Sequence, residues 1–244
     1  MGDWQANLPP ARQALAAAAR VAVLSGAGVS AESGVPTFRG PGGLWEKHRP
    51  EDLATPQAFR RDPALVWRWY HWRRELIAAC APNPAHQALA AYEARRPGFT
   101  LITQNVDGLH RLAGSRNLLE IHGSLWRVRC LDCGVDREER RLDLPAPPLC
   151  PACGGLLRPD VVWFGESLDQ DLLDRAWRAA GNCQAMLVVG TSAVVQPAAS
   201  LALVAKSAGA YVIEVNPDPT PNTGRVDVSL HAPAGEVLPA LLAP

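Results

Sequence analysis

The sequence predicts an α/β fold in which a doubly wound parallel sheet carries a small inserted four-cysteine module and a helical insertion. Three observations carry this reading. Five short apolar runs, each stopped by glycine or a small polar residue, alternate with helix-forming stretches, which is the pattern of βαβ units. Two C-x2-C pairs, Cys130 with Cys133 and Cys150 with Cys153, stand sixteen residues apart in a stretch with little apolar content of its own. The chain has 244 residues and is 48% apolar, enough to bury one sizeable core.

Taken in order, residues 11–19 are strong helix formers and 21–24 read as the first strand. Gly26, Ala27 and Gly28 then allow a tight turn, Ala31 takes the position of a third small residue, and residues 30–33 begin the next helix. This is the Rossmann-like arrangement that brings a helix N-terminus to a pyrophosphate. In a redox dinucleotide fold an acidic residue follows about twenty residues later to hold the ribose. Here that distance falls in a loop with Pro36, Arg39, Pro41, Gly42 and Gly43, which reads as a cover over the ligand.

The stretch 53–77 is rich in aromatics, and Asp62 with Pro63 marks the cap and first turn of a helix running to about residue 79. Asn83 and Pro84 repeat that start signal, and the helix they begin stops near Pro97 and Gly98. Residues 99–104, 118–121, 185–189 and 211–215 are four more buried strands, which join the first in a parallel sheet. Ligands of such sheets sit beyond the carboxyl ends of the strands. Gly26, Gln104, Asn105, Asp107, His122, Gly190, Ser192 and Asn216 all fall there, so five strand ends present small or hydrogen-bonding groups to one crevice. His122 is the candidate general base, because a neutral imidazole can accept a proton near neutral pH.

The cysteine spacing lets two turns each offer two thiolates to a tetrahedral metal, and a structural zinc is expected on Cys130, Cys133, Cys150 and Cys153. Four cysteines leave no open position for catalysis at that zinc. Disulfides are the alternative, disfavoured in a reducing compartment. Cys80 and Cys183 stand in apolar surroundings and read as buried thiols. Acidic and basic residues balance at 24 each, so no positive field points to nucleic acid. With no apolar run of about 18 residues and no basic start followed by an apolar core, neither membrane insertion nor secretion is expected, and a cytoplasmic location follows by default.

GAGVSAESGVPTFRG at 26–40, TQNVDGLH at 103–110, IHGS at 121–124, the paired cysteines, VVWFGE at 161–166, GTS at 190–192 and EVNP at 214–217 occur in one order. Together they resemble the sirtuin family, NAD-dependent protein lysine deacylases, and the resemblance spans nearly the whole chain. It implies that Ala27, Phe38, Val106 and Asp107 surround nicotinamide. Arg39 and the Gly26 to Gly28 turn would face the phosphates, and Ser192 and Asn216 the adenosine half. Ser30, Gln104, Asn105, Gly190, Thr191 and Ala234 complete the implied NAD site, beside one structural zinc. By the same analogy an acyl-lysine oxygen attacks the ribose anomeric carbon and expels nicotinamide, and His122 takes a proton from a ribose hydroxyl. Water then releases lysine and O-acyl-ADP-ribose. The peptide is expected to lie extended against Val161, Phe164, Gly165 and Glu166, adding as a strand.

Tyr70 and Arg73 lie three apart and so share one helix face. By spacing alone, Val66, Tyr70, Arg73 and Ile77 also make an ordinary core-packing stripe. Ala54, Tyr70 and Arg73 resemble the triplet of the desuccinylase and demalonylase subgroup, in which a small residue leaves room while a guanidinium and a phenol hold a distal carboxylate. The expected division is 1–40, 80–124 and 159–244 for the NAD-binding domain, 41–79 for the helical insertion, and 125–158 for the zinc module. A monomer acting on acyl-lysine proteins or peptides is expected. An NAD-dependent protein ADP-ribosyltransferase, or a zinc-ribbon adaptor without activity, are the alternatives; a dehydrogenase is disfavoured by the missing ribose-binding acid.

Overall fold

The computed structural model describes residues 4–38, 43–47 and 49–244. Its main sheet has six parallel strands: β1 (Val21–Ser25), β2 (Phe99–Thr103), β3 (Leu118–Glu120), β7 (Ala185–Val189), β8 (Tyr211–Val215) and β9 (Val228–Leu230). They lie in the order β3-β2-β1-β7-β8-β9, so the winding reverses between β1 and β7. A parallel sheet covered on both faces needs apolar residues at every position. β7 meets that demand and β1 departs from it only at Ser25; both are buried at all five positions. Alternate residues then feed two cores. Val21 and Val23 pack with Leu89, Leu101 and Leu187 on one face, while Ala22 and Leu24 pack with Ile102, Met186 and Leu201 on the other.

The first of these faces is covered by α1 (Leu8–Ala17), α6 (Pro84–Ala94) and α10 (Ala234–Leu241), and the second by α8 (Gln170–Asn182) and α9 (Ser200–Ser207). The start signals act as expected where they occur. Asn83 accepts from the backbone of Ala85 and His86 to cap α6, and Asp62 accepts from Leu65 N to cap α5 (Pro63–Ala78). Between β1 and β2 lie also α2 (Leu44–Lys47), α3 (Pro50–Leu53) and α4 (Pro56–Arg61).

One expected element differs in kind. Residues 30–33 do not begin an α-helix; Ala27–Ser33 is a 3-10 helix that ends at Gly34 in the left-handed region, φ 88°. Its turns close three residues back, Val29 N to Gly26 O at 3.1 Å and Gly34 N to Ala31 O at 2.9 Å. Gly28 N–H is meanwhile spent on Gly190 O of the neighbouring loop at 2.8 Å, outside any helix. The sixth strand, β9, and helices α8 to α10 go beyond what the sequence reading included.

A second, antiparallel sheet of order β5-β4-β6 is built from β4 (Gly123–Cys130), β5 (Asp136–Glu138) and β6 (Leu157–Val161). Its core is shared with the helical insertion: Trp67, Phe59 and Tyr70 pack against Leu125, Val128, Leu157 and Trp163. Trp67 Nε1–H donates to Leu157 O at 2.8 Å, which fixes α5 to β6. The short helix α7 (Leu109–Leu112) follows β2.

Candidate active site

A cleft of about 860 Å³ opens at the carboxyl ends of β1, β2, β7 and β8 and runs between the two sheets. At the winding reversal its wall is backbone packed on backbone. A Cβ on Gly28 would sit 2.8 Å from Gly190 O, and one on Gly190, whose φ is +58°, would sit 2.3 Å from Val29 N. Side chains cannot be inserted there, so both loops expose main-chain groups to the cleft.

Gln104 bridges the strands: its Nε2 donates to Thr191 Oγ1 at 3.0 Å and its backbone N to Ser25 O at 3.0 Å. Its carbonyl lies 3.1 Å from His122 Nδ1. A carbonyl can only accept, so Nδ1 carries the proton and Nε2 keeps its lone pair. Burial lowers the His122 pKa, against a smaller opposing effect of the Gln104 bond. The half-buried ring is thus a neutral, oriented base on the cleft wall.

Behind the wall lies a buried polar chain. His86 Nδ1 meets both the backbone N of Asn83 at 3.3 Å and its Oδ1 at 3.0 Å, and His86 Nε2 lies 3.3 Å from Ser30 Oγ. Ser30 Oγ–H donates to Asp107 Oδ2 at 2.8 Å, and Asn105 Nδ2 donates to Ser30 Oγ at 3.2 Å. Asp107 Oδ1 accepts from Leu109 N at 2.9 Å. His110, whose ring centroid is 4.7 Å from that of His86, meets Ser25 Oγ at 2.9 Å. Desolvation holds the His86 pKa down at about 4 and that of His110 at about 3, so both are neutral.

At the far end, Ala54, Tyr70 and Arg73 come together with Phe38 and Trp69. The Arg73 guanidinium stacks 4.8 Å from the Phe38 ring centroid and 5.0 Å from that of Trp69. It is 6% exposed, and among the described residues it has neither an ion pair nor a hydrogen bond. Desolvation lowers its pKa and raises that of Tyr70, whose hydroxyl accepts from Trp163 Nε1–H at 2.8 Å. Phe164 N donates to Ala54 O at 2.9 Å and ties the 161–166 segment to this end.

The four cysteine sulfurs lie within 4.8 Å of one another, with Cys130 to Cys153 at 3.5 Å and Cys133 to Cys150 at 3.8 Å. Thiolates about 2.3 Å from a tetrahedral zinc are about 3.8 Å apart, so the set fits that ion. Asp132 N and Gly155 N each approach a sulfur at 3.4 Å, as partners that would orient thiolates.

The cleft gathers Gly26, Ala27, Gly28, Phe38, Gln104, Asn105, Val106, His122, Gly190, Thr191, Ser192 and Asn216 along one side, and Ala54, Tyr70, Arg73, Val161, Phe164, Gly165 and Glu166 along the other. Ser30 and Asp107 are buried behind it, spent on each other. Ala234 stands outside the lining, packed into the core at the start of α10. Arg39 lies outside the described residues. Trp69, Trp163 and the 217–221 loop line the cleft without having been singled out. The proline-dense NPDPTP after β8 was a signal for that loop. Glu214, buried at the end of β8, holds the loop by accepting from Thr220, from Thr223 Oγ1 at 2.5 Å and from Ser229 Oγ at 3.0 Å.

Residues 26–197 match the model of a family described as the Sir2 family. An NAD-dependent protein deacylase 2 of Pyrobaculum aerophilum is 57% identical over 235 residues, which cover 93% of this chain and 92% of that protein. A solved Sir2 homologue in complex with 2′-O-acetyl ADP ribose superposes with a TM-score of 0.91 at 51% identity, covering 96% of this chain and 94% of the other. A Sir2 protein solved with p53 peptide and NAD+ superposes at 0.86 with 31% identity, covering 95% of each chain.

Proposed function

The chain belongs to the Sir2 family, and from that premise we propose that it removes acyl groups from protein lysine side chains at the expense of NAD. Acyl-lysine, NAD and water give lysine, nicotinamide and O-acyl-ADP-ribose. The observation that carries the reading is His122. It is a neutral imidazole with Nδ1 committed to Gln104 O, and it lies between the wall formed by Gly26, Gly28 and Gly190 and the 161–166 segment.

The residues present fit NAD. Backbone at the Gly26, Gly28 and Gly190 crossing suits a phosphate, because no Cβ keeps a ligand away. The loop from Asn216 to Pro221, held by Glu214, suits the adenosine half. NAD supplies the ribose carbon at which the acyl oxygen is taken up. His122 Nε2 receives a proton from a hydroxyl at that ribose, Gln104 holds the ring for it, and Phe38 shields the site from water. Cys130, Cys133, Cys150 and Cys153 would hold one zinc and with it the ends of β4 and β6; four thiolates would leave that ion no open position for the chemistry.

The proposal extends to the acyl group. A buried guanidinium without a carboxylate partner is costly, and an acyl chain ending in a carboxylate would supply the missing partner. Arg73, with Tyr70 beside it and the small Ala54 at the same end, supports removal of succinyl and malonyl groups alongside acetyl. We also propose that the protein works as a cytoplasmic monomer on protein or peptide substrates, without nucleic-acid partners. Its balanced charge supports the last of these; among the described residues no helix is long and apolar enough to cross a membrane. The division into an NAD-binding domain, a helical insertion and a zinc module belongs to the same proposal. Mass spectrometry after incubation with NAD and a panel of acyl-lysine peptides tests it. O-acyl-ADP-ribose is expected, and ADP-ribose found on protein in its place would favour a transferase.

A further inference from the structure

We infer that Trp163 sets the specificity of the acyl pocket by directing the hydroxyl proton of Tyr70 at the occupant, an inference that rests on the dicarboxylic-acyl reading above. The indole N–H can only donate. In the 2.8 Å bond between Trp163 Nε1 and Tyr70 Oη, the tyrosine must therefore accept, and its own O–H cannot point back at the indole. Tyr70 is 2% exposed, and among the described residues no group accepts its proton. The proton is left to the cleft, where the Arg73 guanidinium, its carbon 6.0 Å from the Tyr70 ring centroid, also lacks an acceptor. A carboxylate satisfies both donors and a methyl group satisfies neither.

Trp163 can impose this direction because its own position is over-determined. The Arg158 guanidinium lies 3.4 Å from its ring centroid. Arg158 is in turn held in a two-pronged ion pair with Glu166 at 2.5 and 2.9 Å. The same carboxylate accepts from Trp163 N at 2.8 Å, and Phe59 packs on the indole with centroids 5.2 Å apart. The segment proposed to pair with the peptide is thereby wired to the acyl pocket through Glu166, Arg158, Trp163 and Tyr70. Substrate binding along 161–166 and recognition of the acyl end share one rigid network.

The test is the ratio of kcat/KM on a succinyl-lysine peptide to that on the acetyl-lysine peptide of the same sequence. It is measured for the full chain and its Trp163→Phe, Tyr70→Phe and Arg73→Met variants. Trp163→Phe keeps an aromatic ring and removes the donor, and should lower the ratio about tenfold, the scale of one hydrogen bond to a charged group. Tyr70→Phe should lower it by a similar factor, and the double variant should fall no further than Tyr70→Phe alone. An unchanged ratio in Trp163→Phe, with a lowered one in Arg73→Met, overturns the inference and leaves the pocket reading standing. An unchanged ratio in all three overturns the reading itself. Should Trp163→Phe fail to fold, Tyr70→Phe removes the acceptor of the same bond: a lowered ratio supports the inference, and equal loss on both peptides overturns it.

Discussion

Replacing Arg73 by methionine perturbs the one buried guanidinium that faces the cleft without an ion pair among the described residues. Two opposite effects follow from that position. In the ligand-free protein the charge is desolvated, 6% exposed, and offset by ring faces at 4.8 and 5.0 Å and by the field of Asp107, with no ion pair among the described residues. Exchanging it for an apolar side chain of similar length should leave Tm unchanged or raise it, because an unpaired buried charge is a net cost. With a succinyl-lysine substrate the same exchange removes a hydrogen bond between two charged groups, worth about 1.5 to 3 kcal/mol. At about 1.4 kcal/mol per decade, kcat/KM on the succinyl peptide should fall roughly 10- to 150-fold relative to the acetyl peptide. Paired steady-state assays on the two peptides, with a thermal melt of the variant, measure both effects. Equal losses on the two peptides would refute the carboxylate role, and a Tm several degrees lower would refute the claim that burial of the guanidinium is a net cost.

Other outcomes follow from the structure. Chelation of the zinc, or Cys150→Ala, should abolish activity along with ordered packing of the second sheet, since α5 is anchored on β6 through Trp67 and Leu157; metal analysis should find one zinc per chain, and full activity in metal-free protein would contradict this. Acid should destabilise the fold through His86 and His110, which are 0% and 2% exposed and held at about 4 and about 3. Their folded pKa values lie below the unfolded value near 6.5, so their contribution is complete above that pH and is lost as pH falls toward 4. Two such groups lower the unfolding free energy by roughly 2 to 3 kcal/mol between about pH 7.5 and 5.5; denaturant titrations with a flat profile across that window would contradict their buried neutral state.

Much of this architecture is legible in the sequence because parallel strands covered on both faces must be apolar throughout. Residues 185–189 therefore announce themselves, as do the aromatic and β-branched residues of 99–103 and the caps at Asp62 and Asn83. β9 has only three residues and too little pattern to read. The turn after β1 was legible as a ligand loop and not as a 3-10 helix, since the partner that takes the Gly28 N–H lies 162 positions away, at Gly190. The same distance problem hides Trp163. It falls inside the VVWFGE motif, but nothing local says that its indole reaches Tyr70, 93 positions away. Ala234, which the resemblance assigns to the NAD site, lies at the start of α10 with its side chain in the core.

The central claim is that this cleft consumes NAD while His122 serves as the base. Its most direct measurement follows nicotinamide, free lysine and O-acyl-ADP-ribose together, for the wild-type protein and for His122→Ala at saturating NAD and acyl peptide. Equal yields of all three products from the wild type, with lysine release lost in a variant that still binds NAD, are the predicted result. Lysine released without consumption of NAD, or undiminished release from His122→Ala, would contradict it.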